Sequence, residues 1–221
     1  MGSSCPACGA PVEFRSAAPF AVCSHCRSLL VRAGATLDAI GRVAEVPADF
    51  SPLQLGTTGV FEGRHFALIG RVRKAWAQGS WSEWCAAFDG GRFGWLAEAQ
   101  GDLVMTFEEP LSDFVPPPTP ESLRAALPDT LFTIGGRQFR TSDLKEVHCV
   151  AAEGELAETV DPAAPLACLD LHGPQLTFAS IELSGSTLHL FVGRFVEFGE
   201  CRFAKLRQLD GWQVASSGGT P

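Results

Sequence analysis

Apolar and polar positions alternate along the middle of this chain in runs too short for helices and too regular for loops. From Leu55 onward, turn residues interrupt the pattern about every six to ten positions. Residues 65–76 read as one long strand with Phe66, Leu68, Val72 and Trp76 on one face. Gln78-Gly79-Ser80 turns the chain, residues 81–88 return, and Asp89-Gly90-Gly91 is a strong hairpin signal. Residues 93–97 and 103–107 complete a meander around Gln100-Gly101-Asp102. Strand periodicity puts Trp84, Ala86 and Phe88 on one face and Trp81, Glu83 and Cys85 on the other. Such short strands joined by tight turns predict a small antiparallel barrel or a strongly bent sheet over residues 53–114.

Pro116-Pro117-Pro118-Thr119-Pro120 then interrupts every periodicity, so residues 115–130 read as a stiff linker carrying a short helix over 121–127. A second β-rich unit spans 131–210 and looks like a diverged copy of the first. Gly63-Arg64-His65-Phe66 matches Gly136-Arg137-Gln138-Phe139, and Gly90-Gly91-Arg92-Phe93-Gly94-Trp95 aligns with Gly173-Pro174-Gln175-Leu176-Thr177-Phe178. Residues 34–52 read as a linker or short helix, with Leu37, Ile40 and Val43 or Ala44 at helical spacing, and 211–221 as a flexible tail.

The N-terminus breaks from this β pattern. Cys5-Pro-Ala-Cys8 and Cys23-Ser-His-Cys26 are separated by fourteen residues, a CxxC-x14-CxxC spacing that predicts a structural Zn2+ site. Four thiolates close a tetrahedron and leave no position for water or substrate. Val12, Phe14, Phe20 and Val22 supply two short strands between the knuckles, so residues 1–33 resemble a zinc ribbon. His25, inside the second knuckle, reads as a solvent-facing turn residue. The fold class expected is therefore mainly β: a zinc ribbon followed by two small antiparallel barrel-like units.

The 221 residues are 46% hydrophobic and 19% charged, a globular composition, and the net charge is −8. An acidic chain without a basic tail makes nucleic acid an unlikely partner. No apolar run reaches the length of a membrane span, and the start lacks the features of a signal peptide. These readings predict a cytoplasmic protein whose thiols stay reduced, with no direct insertion into a membrane. Cys85, Cys149, Cys168 and Cys201 are isolated and read as small buried hydrophobes.

Leu55-Gly56-Thr57-Thr58-Gly59, Ile69-Gly70-Arg71-Val72, Trp81-Ser82-Glu83-Trp84 and Gly94-Trp95-Leu96 occur in that order. Ala152-Glu153-Gly154-Glu155-Leu156, Leu169-Asp170-Leu171, Thr177-Phe178-Ala179-Ser180-Ile181 and Phe191-Val192-Gly193 follow. Over residues 53–207 the chain thereby resembles a bacterial family of domains of unknown function, number 4178. It departs from that family in having no tyrosine. The resemblance implies an all-β domain and brings no activity or site residues with it. It also implies company among membrane-associated and polyamine-related proteins, hence a place in a shared assembly.

Two constellations carry candidate chemistry. Glu153 and Glu155 lie two apart and, with Asp170 and Glu182 across a sheet, compose an acidic cluster suited to a cation or polyamine. Trp76 and Trp81 flank a turn beside Arg71 and Arg73, a candidate partner-binding patch, whereas Trp84 and Trp95 read as barrel core. No GxSxG, Walker, HExxH or GxGxxG pattern occurs. The sequence thus points first to a non-catalytic zinc-binding adaptor that docks another protein. Its alternatives are a β-domain that binds a polyamine or cation, and a binder of single-stranded nucleic acid.

Overall fold

The computed structural model describes residues 3–34 and 36–209; the tail expected over 211–221 lies outside the described residues. Five short strands open the chain: β1 (Ser3–Ser4), β2 (Pro11–Val12), β3 (Phe20–Val22), β4 (Ser28–Ala33) and β5 (Thr36–Arg42). A first meander follows as β6 (Thr58–Phe61), β7 (Arg64–Trp76), β8 (Gly79–Phe88), β9 (Phe93–Ala99) and β10 (Asp102–Glu109). A 3-10 turn over Leu111–Asp113, β11 (Phe114–Val115) and the short helix α1 (Pro120–Arg124) lead to the second meander. That comprises β12 (Leu131–Ile134), β13 (Arg137–Leu156), β14 (Leu166–His172), β15 (Thr177–Ser184) and β16 (Thr187–Val196).

The mainly β class holds, but the two meanders do not close separately. They close on each other. The antiparallel order β7-β8-β9-β10-β16-β15-β14-β13 returns to β7 through a β13–β7 pairing, so one barrel is assembled from two halves. β13 manages both neighbours by stagger: residues 140–147 pair with β14 and residues 148–154 pair with β7. Each half repeats the same order, a short strand and tight turn followed by four long strands. The glycines that match in sequence sit at equivalent places, Gly63 between β6 and β7 and Gly136 between β12 and β13.

Both seams between the halves depend on glycine. Gly70 and Gly154 are register partners across β7 and β13, and a Cβ on Gly70 would lie 1.9 Å from the Glu155 carbonyl oxygen. At the other seam Gly193 faces Thr106 of β10, and a Cβ there would lie 1.8 Å from the Met105 carbonyl oxygen. Backbones meet at these points too closely for any side chain.

Alternation divides each strand between the barrel interior and an outer face covered by flanking segments. Trp84, Ala86, Phe88, Leu96 and Met105 face outward and are buried under Leu53, Phe198, Phe203 and Leu206. Phe139, Leu171, Ile181 and Leu190 of the second half are buried under Phe114, Leu123 and Ile134. The expected single face for Phe66, Leu68, Val72 and Trp76 is corrected here. A bulge between Leu68 and Gly70 inverts the alternation, so Phe66 and Leu68 join the outer cluster while Val72 and Trp76 turn inward. Trp84, expected in the barrel core, is likewise fully buried but on the outer face.

The helix or linker expected over 34–52 is also corrected, because residues 36–42 form β5 on β4. Tertiary pairing overrides the helical spacing of its apolar residues. The short helix expected over 121–127 is observed at Pro120–Arg124. Thr119 caps it: its side chain accepts from the Ser122 amide while Ser122 answers with its own hydroxyl. Among the described residues no helix is long and apolar enough to cross a membrane.

Candidate functional site

Two sites stand out, a sulfur cluster at the N-terminus and a cavity inside the barrel. The knuckles of the cluster are built alike. In the first, the Gly9 amide donates to the Cys5 carbonyl and the Cys5 amide to Ala10; in the second, the Arg27 amide donates to Cys23 and the Cys23 amide to Ser28. Gly9 (φ 76°) and Arg27 (φ 63°) occupy the same left-handed position, so an arginine does in the second knuckle what glycine does in the first.

These turns bring the sulfurs of Cys5, Cys8, Cys23 and Cys26 within 4.8 Å of one another. Cys5 and Cys26 Sγ are 3.7 Å apart, and Cys8 and Cys23 Sγ are 3.8 Å apart. A tetrahedral ion with metal–sulfur bonds of about 2.3 Å holds its ligands about 3.8 Å from each other, so the donor set and its spacing fit such an ion. Disulfides would need about 2 Å. Hydrogen bonds with the Ser28 hydroxyl and amide lower the Cys26 thiol from its ordinary range, while Cys8 in the same cluster is raised. His25 is exposed and takes no part in the cluster.

The barrel interior is not filled by its own side chains. It encloses a cavity of about 620 Å³, to which all eight strands of the ring contribute. Trp76, Trp81, Trp95, Phe178, Phe191 and Phe195 supply aromatic wall, and the Trp76 and Trp81 rings lie 5.4 Å apart and tilted. Across this wall runs a chain of charges. The Trp81 indole donates to Glu83 at 2.8 Å, the Lys74 ammonium lies 2.8 Å from Glu83, and it also contacts Glu182 directly. Lys145 bridges Asp143 and Asp170, and the Ser180 hydroxyl donates to Asp170.

Burial works against charge on Lys74, but Glu182 and then Glu83 outweigh it and hold the ammonium protonated well above its ordinary range. Burial also pushes the carboxyls of Glu182 and Asp170 up, opposed by Lys74 and Lys145 respectively. Glu158 shifts furthest. Burial, then Glu182 and Glu108, drive its carboxyl up to about 7, although the Trp95 indole donates to it at 3.2 Å. The cavity lining holds six carboxylates (Glu83, Asp102, Glu158, Asp161, Asp170 and Glu182) against two lysines (Lys74 and Lys145).

The Glu158 shift predicts a pH dependence of stability. Its folded pKa lies above its unfolded value near 4.5, so the native state binds the extra proton between those values. The contribution is complete below about 4.5 and is lost as pH rises through about 7, on the order of 3 kcal/mol in all. Glu158→Gln keeps an acceptor for Trp95 and removes the titration. Urea unfolding should find the variant more stable than the parent at pH 8 and similar to it at pH 5.

The structure separates the residues that the sequence groups together. Asp170 and Glu182 line the cavity. Glu155 does not: it is buried and accepts hydrogen bonds from the Arg15 amide (2.6 Å), the Ser16 amide (3.0 Å) and the Ser16 hydroxyl (2.6 Å). Glu153 is also outside the cavity; burial raises its pKa, while the positive charges of Arg71 and Arg27 pull the other way. The expected four-carboxylate cluster is thus two residues in the cavity and two outside it, of which Glu155 is bound to the segment between the cysteine pairs.

The expected partner patch divides similarly. Trp76 and Trp81 face the cavity, whereas Arg71 is 4% exposed on the outer face, bound to Asp49 and Ser82 and stacked over Trp84. Arg73 is half-buried beside it and donates to Ser80 and Ser82. Arg71 is thus buried and already paired, whereas Arg73 keeps about a quarter of its side chain exposed. Sequence reasoning missed Lys74, Glu83 and Glu158 as site residues. The alternation that groups Trp81 with Glu83 was the available signal, since charge on an aromatic face marks a polar interior. Glu158 gave no signal, because loop residues have no period.

A family model described as "Domain of unknown function (DUF4178)" matches residues 54–198, which span both halves of the barrel and leave the cysteine cluster outside. No curated protein and no solved structure matches the chain.

Proposed function

We propose, for a chain that belongs to the DUF4178 family of domains of unknown function, that the barrel binds a small organic cation in its interior. One observation carries this reading: a cavity of about 620 Å³ whose wall combines three tryptophans with an excess of carboxylates. Aromatic faces and carboxylates are the two groups that attract an ammonium once water is excluded, and the rings also take an apolar chain. The ligand class is therefore an amine with an apolar body, and polyamines fall within it. The same reading assigns Zn2+ to the four cysteines, as a structural ion in a reducing compartment such as the cytoplasm.

Dansylcadaverine, a primary amine on an aromatic body, tests this by fluorescence titration, with dansylamide as the neutral control. The amine should bind, and the neutral control should bind about tenfold more weakly. Trp81→Ala should weaken the amine roughly tenfold through loss of one aromatic face. Binding should also strengthen by up to about tenfold from pH 6 to pH 8, as Glu158 ionises near 7. Equal affinity for amine and neutral control would refute the cation reading, and displacement by spermidine would narrow the class to polyamines.

A second reading keeps the adaptor role. Among the described residues β5 lies at the end of the sheet order with no ladder partner on one edge, and Ile40 on it is 48% exposed. Such an edge accepts an added strand from another protein. Loss of a captured partner on Ile40→Lys would support docking there.

A further inference from the structure

The cysteine module forms part of the cavity wall. Phe20 of β3 lines the cavity, and β3 pairs with the end of β13 through Ala21–Glu155 and Phe20–Leu156. Leu156 opens directly into residues 157–165, a strap that contributes Glu158, Val160 and Asp161 to the same wall. Val22 and Leu29 of the module share one apolar cluster with Val72, Trp95 and Leu156, and Val160 of the strap packs against it. Module, strap and cavity are one packing unit.

Two features make that unit depend on the sulfurs. The module's own core contains Val12, Leu30 and Leu37 beside the ligand cysteines, too little apolar volume to fold without a metal. The Glu155 carboxylate is buried and held by three donors from Arg15 and Ser16, which lie between the two knuckles. When the knuckles melt those donors leave, and a buried carboxylate without partners disrupts the end of β13 from which the strap starts. We propose that metal occupancy of the four-cysteine cluster controls closure of the barrel cavity, with residues 157–165 as the strap that is held or released. This rests on the cavity being the ligand site proposed above.

Metal removal from the intact, zinc-loaded chain tests it with two readouts. Cys149 and Cys168 are buried in the cavity wall, whereas Cys201 is buried in the outer cluster and reports global unfolding. After chelation, iodoacetamide labelling of Cys149 and Cys168, mapped by mass spectrometry, should rise roughly tenfold while Cys201 stays protected, as expected of a local opening. Dansylcadaverine affinity should fall by a similar factor. Glu155→Gln should raise the same two labelling rates with zinc still bound, because it keeps the metal and weakens the clamp.

Labelling of all three thiols together would overturn the proposal, since the ion would then be holding the whole fold. Unchanged labelling would overturn it as well. Selective labelling of Cys149 and Cys168 in a protein that never binds the amine would uphold the strap and remove the ligand reading.

Discussion

Cys23→Ser is expected to strip the metal from purified protein, lowering its zinc content from about one ion per chain to near zero by elemental analysis. Three thiolates and a hydroxyl no longer close a soft tetrahedron, and the module's own core beside the cysteines is small. Metal binding supplies roughly 10–16 kcal/mol in small zinc modules; most of it goes into folding the module itself, and we expect global unfolding to register on the order of 4 kcal/mol. At roughly 2–4 °C per kcal/mol for a chain of this size, the melting temperature should drop by about 10 °C. The barrel should keep its far-ultraviolet β signal at room temperature, because its hydrogen-bonded ring does not include the module. A variant that retains one zinc and melts with the parent would show that the sulfurs are not a metal site.

Gly193→Ala is expected to do more damage than any surface change. Its Cβ would sit 1.8 Å from the Met105 carbonyl oxygen and 2.7 Å from the Thr106 Cα, both backbone atoms that cannot swing aside. Relief requires the β10–β16 seam to part, breaking ladder hydrogen bonds on both sides. We expect a loss of about 4 kcal/mol or more in urea unfolding, or failure to fold. Gly199→Ala is the matched control. Nothing lies within 4 Å of the Cβ position there, and its effect should stay within about 0.5 kcal/mol. Similar losses from both would mean that the seam is not pinched.

The strands were legible because their signal is local. Turn residues at Gly63, Gly90 and Gly136 and the alternation through residues 81–88 placed hairpins that the structure contains. The four cysteines were legible for the same reason, two residues of spacing within each pair. Closure was not legible, since pairing Gly70 with Gly154 joins positions 84 residues apart and leaves no trace in either strand's own pattern. Two meanders with similar order therefore read as two barrels rather than the halves of one.

The same limit explains the site. Aromatic residues announced an interior or a patch, but deciding which required knowing that Trp76, Trp81 and Trp95 face a common centre. The bulge after Leu68 adds one residue and inverts every later side chain of β7, which moved Lys74 inside and Arg71 outside. Glu155 looked like half of a carboxylate pair. Only the fold reveals that its partners lie about 140 residues earlier, in the segment between the knuckles.

A crystal structure of the zinc-loaded protein grown with dansylcadaverine tests the central claim most directly. The account predicts density for the amine inside the ring of strands, its ammonium against Glu158 and its aromatic body on the Trp76–Trp81 wall. Density on the outer surface, or an interior closed by the protein's own side chains with no room for the probe, would contradict it.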